Sequence, residues 1–311
     1  MRHTTEPAHS VEVGSVQVRR LVVGWVASAM TQSADGFRPE TVVAIDAVAQ
    51  ALDLARGGVD PRGITAKGTR DLVTATDLAI EDAIRALVGA ALGFTAIGEE
   101  RGGQAPADGL PYWLVDPICG TRNLASGIPL YCVNLALVED GQVTAAVVGD
   151  PSTGEICVAE LGQGAWAMAM KDGARRRLAT SEQSRTIVIE DSHATGARRE
   201  LAAGFTAGAI RADRWDLRAL STTLSLAYVA AGRIAAYVLF WTSAVHAGAG
   251  SLLAAEAGAI VSEIGGQPWT IHSDSILASA TPDLHAALLE LAGSRAGPHT
   301  PIARRSSLGR S

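Results

Sequence analysis

Three short acidic clusters constrain this chain more than any other feature: Asp71 to Asp77 in DLVTATD, Glu99-Glu100 in IGEE, and Asp116 in WLVDPICGTRN. Each falls where a strand or turn meets a helix. Asp116 ends an apolar run and is followed at once by Pro117 and a Gly120-Thr121 turn. That arrangement fixes the carboxylate's direction and points it into a crevice. Hard divalent cations require such oxygen ligands. Taken singly, the clusters also read as ordinary structure: Asp71 and Asp77 as a helix cap and a first-turn charge, Glu99-Glu100 as a solvated loop.

The pattern around the clusters is mixed. From Glu40 the apolar positions Val42, Val43, Ile45, Val48, Ala49, Leu52 and Leu54 fall at three- and four-residue steps, predicting an amphipathic helix stopped by Gly57-Gly58. A second helix is expected from near Asp77 to about Leu92. From Tyr112 short apolar runs are broken by turn residues, predicting strands that are antiparallel where Asp140-Gly141 and Ser152-Thr153-Gly154 make tight connections. Beyond Thr186 helices and strands alternate, including SLAYVAAG and a helix from His246 to Ala257. An α/β (α+β) layered sandwich is expected. The chain divides into an extension over 1–37, a body over 38–293 with lobes of about 38–185 and 186–293, and an Arg/Ser-rich tail over 294–311.

An apolar fraction of 48% with 33 glycines supplies a core and its turns, which excludes disorder for the body. A formal charge of -6 argues against a sequence-independent grip on nucleic acid and favours a small-molecule partner. Cys119, Cys132 and Cys157 are an odd number without a CxxC pair, so a reducing cytoplasm is expected rather than a secreted disulfide framework. The run Leu21 to Met30 is too short to span a bilayer, and its basic pair Arg19-Arg20 comes late for a signal peptide; no membrane partner is expected.

Together, DLVTATD, GEE, WLVDPICGTRN and the distal HAGAGSLLAAEAG resemble in order and spacing the inositol monophosphatase family. VVGDPSTGEICVAELGQGAW and ILASATPDLHAALLELA extend the likeness to residues 40–293. The resemblance implies a five-layered α/β/α/β/α sandwich, Mg²⁺ bound at carboxylates, hydrolysis of small phosphate monoesters, and a homodimer. It assigns a first metal position to Glu99, Asp116 and the Ile118 carbonyl. Asp77 and Thr121 would orient or deprotonate the attacking water, and Gly120, Thr121 and Lys67 would meet the phosphate.

Two departures fall on the second metal position. Cys119 stands where the family has an acid, and His246 stands where the distal helix has Asp. Leu239 replaces an acidic residue that meets inositol hydroxyls. Mg²⁺ binds thiolate poorly. Four readings follow: a Zn²⁺ position made of Asp116, Cys119 and His246; a metal-free Cys119–His246 dyad with a nucleophilic thiol; residual phosphatase activity on the first metal alone; or loss of catalysis, leaving a binding or interaction protein.

Lesser candidates have structural readings. Cys132 and Cys157 fit an apolar core, and His193 a polar surface loop. Arg198, Arg199, Arg211 and Arg214 fit a solvated face, and Trp215 and Trp241 core packing. The glycines of HAGAGSLLAAEAG fit close helix packing rather than a nucleotide loop.

Overall fold

The computed structural model describes residues 36–57, 65–68, 71–107, 109–171, 173–191 and 194–293. The expected extension up to residue 35, the tail from 294, and His193 lie outside the described residues.

Helix α1 (Pro39–Arg56) starts with Pro39 in its first turn, where the missing N–H costs nothing, and ends at Gly57. After the short hairpin β1 (Thr65–Gly68) and β2 (Asp71–Val73), α2 spans Ala75–Leu92. It begins two residues earlier than the apolar period suggests. Thr74 caps it, and Asp77 returns the bond to the Thr74 backbone, making Asp77 the acidic member of a capping box.

A seven-stranded sheet follows, in the order β3-β4-β5-β6-β7-β8-β9. Its strands are β3 (Thr95–Gly98), β4 (Tyr112–Cys119), β5 (Cys132–Glu139), β6 (Gln142–Asp150), β7 (Glu155–Glu160), β8 (Gly164–Ala169) and β9 (Arg175–Arg177). Every neighbouring pair is antiparallel except β3 and β4. The one-turn helix α3 (Thr121–Ala125) links β4 towards β5. The second lobe holds β10 (Thr186–Glu190), α4 (Gly196–Ala212), β11 (Asp216–Arg218), α5 (Leu224–Ala230), β12 (Ala236–Leu239), α6 (Ala244–Glu256), β13 (Ile260–Ser262), β14 (Ile276–Ser279) and α7 (Pro282–Gly293). Its five-stranded sheet runs β11-β10-β12-β14-β13.

Four apolar clusters separate five layers. Val48, Leu52, Ile80 and Ile84 of α1 and α2 cover one face of the large sheet against Val115, Leu135 and Val147. Helices α5 and α6 cover its other face and also the near face of the small sheet. Helices α4 and α7 close the far face through Phe205 and Leu288. The middle layer is tight because α6 is rich in small residues: a Cβ on Gly250 would stand 2.6 Å from the Leu226 side chain, so only glycine lets α5 and α6 approach this closely. No helix among the described residues is long and apolar enough to cross a membrane.

Asp46, on α1, is partly buried, and its Oδ2 has no hydrogen-bond partner among the described residues. Burial raises its pKa to about 7. Between the ordinary carboxylate range and pH 7 the unfolded chain has released a proton that the native state retains, so stability falls as pH rises through that window. Thermal unfolding at pH 5 and pH 8 checks this: Asp46→Asn is expected to gain in Tm over wild type on going to pH 8. An equal difference at both pH values would contradict it.

Candidate active site

The site lies where the end of β4 meets the start of α6. Pro117 offers no N–H to the ladder, and the register slips by one residue between Asp116 and Cys119 while β5 steps only from Asn134 to Cys132. This bulge returns Cys119 to the face that carries Asp116. Gly120 follows with φ +107°, and a Cβ there would meet the Leu130 carbonyl at 2.9 Å and Tyr131 Cβ at 3.2 Å. Only glycine makes this corner, which sets Thr121 beside Asp77.

Asp116 is fully buried. Its Oδ2 meets His246 Nδ1 at 3.0 Å and accepts from Asn134 Nδ2 at 3.3 Å, whereas Oδ1 is buried with no partner among the described residues. Glu99 Oε2 is 3.9 Å from His246 Nδ1. The donor atoms of Asp116, Cys119 and His246 lie within 4.8 Å of one another. His246 is the third residue of α6 rather than its first, because Ser243 occupies the N-cap.

Thr121 Oγ1 is 3.0 Å from both Asp77 Oδ1 and the Ile118 carbonyl. Asp77 also accepts from Thr74 N–H at 2.9 Å and from the Thr74 hydroxyl. Burial pushes the Asp77 carboxyl up, with these hydrogen bonds opposing it. Burial alone would lower the His246 imidazolium; hydrogen bonds to Asp116 and Cys119 and the Asp116 and Glu99 charges outweigh it and hold it well above its ordinary value. Contact with the Cys132 thiol, then burial, then the Asp116 charge push the Cys119 thiol well up, against the opposing bond to His246.

Sequence reading missed the second lobe's contribution. Buried Glu190 accepts from Leu220 N–H and Ser221 N–H, both at 2.7 Å, and so anchors the 220–223 loop. That loop turns Thr223 onto the sulfur: its N–H and hydroxyl reach Cys119 Sγ at 3.2 and 2.9 Å. Glu81 was missed as well. It is fully buried, accepts from Glu100 N–H and Arg101 N–H, and braces the turn that presents Glu99. Glu81 and Glu190 stand at element interiors or ends, with no local pattern to mark their long-range partners.

A cleft of about 400 Å³ opens over these groups, bordered by Glu99, Cys119, Thr121, Leu239, Trp241 and His246. Trp241 corrects the core reading: it is 37% exposed and walls the cleft. Trp215 packs partly buried on the outer core and under Arg214. Arg198 pairs with Asp274 and bonds the Phe240 carbonyl, so it joins segments of the fold. Lys67 lies on β1, with its side chain outside what is described.

Residues 38–295 match the model of the inositol monophosphatase family. The chain belongs to that family. It is 33% identical over 237 residues to a probable inositol 1-monophosphatase, ImpA, of Mycobacterium tuberculosis, across 75% of this chain and 86% of the relative. It is 31% identical to the Nus factor SuhB of Pseudomonas aeruginosa, across 78% and 89%. The suhB structure from Bartonella henselae superposes with a TM-score of 0.74 over 83% of this chain and all of that one; at 24% identity this is a likeness of fold. Membership in the inositol monophosphatase family makes the chain an enzyme of the phosphoric monoester hydrolase class and accounts for the α/β/α/β/α layering.

Proposed function

We propose that the protein is a metal-dependent hydrolase of a small phosphate monoester, of the sugar or cyclitol kind, with its second metal position rebuilt for a softer ion. The observation that carries this reading is the buried, unpartnered Oδ1 of Asp116. An unsatisfied buried carboxylate oxygen costs at least about 1–3 kcal/mol, a penalty a bound cation removes.

Glu99, Asp116 and the Ile118 carbonyl would hold the first cation, an all-oxygen set of the kind that Mg²⁺ takes. Asp116, Cys119 and His246 fit Mg²⁺ badly and Zn²⁺ well. The chemistry cations supply here is neutralisation of phosphate charge and acidification of the attacking water. The chain itself handles the proton. Thr121 accepts it from water at Oγ1 while donating its own hydroxyl hydrogen to Asp77 Oδ1, across the 3.0 Å contact. Leu239 and Trp241 offer no carboxylate to a ring of hydroxyls on their side of the cleft.

The metal-free dyad finds less support. A nucleophilic thiol needs a lowered pKa, and Cys119 is held high by its Cys132 contact, burial and the Asp116 charge. Phosphate release from a panel of sugar, cyclitol and nucleotide monophosphates, with Mg²⁺ and Zn²⁺ present, tests the proposal. Turnover is expected with at least one substrate, falling about 10²-fold or more in Glu99→Gln. Turnover unchanged in Glu99→Gln would remove the first metal position from catalysis.

A further inference from the structure

Cys132 has no part in the chemistry above, yet its position is not that of an inert core residue. Cys119 and Cys132 are direct partners across the β4–β5 ladder. Opposed residues of an antiparallel pair stand about 4.5–5.5 Å apart at Cα, within the roughly 4.4–6.8 Å that disulfides span. The bulge at Pro117-Ile118 matters here too, because it puts both side chains on one face of the sheet. Both also meet the Thr223 hydroxyl, at 2.9 Å from Cys119 Sγ and 4.0 Å from Cys132 Sγ.

Access is graded. Cys119 borders the cleft, whereas Cys132 is wholly buried behind it, so an oxidant reaches one sulfur and the other waits beside it. Cys157 is excluded as a competitor. It pairs with Val148, which pairs in turn with Asn134, placing it two strands from β5. That separation is roughly 9.5 Å, beyond disulfide reach.

We propose that Cys119 and Cys132 are a reversible dithiol–disulfide pair whose oxidation withdraws Cys119 from the metal-donor set. The bond itself follows from the strand register; only its consequence rests on reading Cys119 as a metal donor. The oxidant is a small disulfide of the glutathione class. Cys119, as thiolate, attacks one sulfur of that disulfide and expels the first small thiol. Cys132 then gives up its proton and attacks Cys119 Sγ in the mixed disulfide, expelling the second. The protein pair loses two electrons and two protons, and one oxidant disulfide becomes two thiols. The scarcity of Cys119 thiolate slows the first exchange and leaves the end point unchanged. In the oxidised form Asp116 and His246 are left as two donors, too few for a stable Zn²⁺ position.

The full-length, metal-free protein is brought to equilibrium over a series of reduced-to-oxidised glutathione ratios, trapped by alkylation and mapped by peptide mass. A Cys119–Cys132 linkage is expected in wild type and in Cys157→Ala. Cys132→Ala and Cys132→Ser are expected to carry glutathione on Cys119 instead, and two variants guard against one failing to fold. Zn²⁺ uptake by the oxidised wild type should weaken at least about tenfold and recover on reduction. Wild type that carries only glutathione on Cys119, or that stays fully reduced, overturns the pair. A linkage that forms with Zn²⁺ uptake unchanged overturns the switch and, separately, the reading of Cys119 as a donor.

Discussion

Thr121→Val is expected to slow phosphate release about 10²–10⁴-fold, the range that a positioned proton-transfer group contributes. Valine keeps the shape of threonine and removes only Oγ1, which stands 3.0 Å from Asp77 Oδ1 and from the Ile118 carbonyl. The fold does not depend on that contact, because Asp77 keeps its bond from Thr74 N–H and the capping box of α2 stays closed. The effect therefore belongs in kcat, with KM little changed. Asp77→Asn is expected to cost a similar factor, since an amide cannot take the proton. The two residues act as one unit, so the double variant should lose scarcely more than either single one. Losses that multiplied would mean that Thr121 and Asp77 serve different steps.

The second large effect concerns the metal position itself. Restoring carboxylates with Cys119→Asp and His246→Asp replaces a thiol and an imidazole with two acids beside buried Asp116 and near Glu99. Without a cation these charges repel one another across a poorly solvated site, and the variant should unfold at lower temperature than wild type. Binding of Mg²⁺ relieves the repulsion, so its Tm should climb with Mg²⁺ concentration far more steeply than that of wild type. Preference should swing the same way, from Zn²⁺ in wild type to Mg²⁺ in the variant, by on the order of 10–100-fold. A hard ion gains two oxygens, and a borderline ion loses sulfur and nitrogen.

The layered fold was legible because its signals are local. Apolar steps of three and four mark α1, and turn pairs such as Asp140-Gly141 mark the hairpins of the large sheet. Asp116, Cys119 and His246 were legible as a set only through the family resemblance, since nothing in their spacing alone brings together residues 130 positions apart. What stayed hidden depends on register and on long-range hydrogen bonds. The bulge after Asp116 decides that Cys119 faces Cys132; Pro117 marks a break in the ladder, but not the partner that the following residue meets. Thr223 and Glu190 act through a loop of the other lobe, and Trp241 is indistinguishable from a core tryptophan until the cleft beside it is seen.

The most direct test of the rebuilt metal position is phosphate release by wild type and by the Cys119→Asp/His246→Asp variant, each with Mg²⁺ alone and with Mg²⁺ plus Zn²⁺. Turnover by wild type is expected to require, or be strongly raised by, Zn²⁺, and the variant is expected to turn over with Mg²⁺ alone. A wild type that is inert with every metal, beside a variant that turns over, would contradict it and would mean that the natural protein has left hydrolysis for another role.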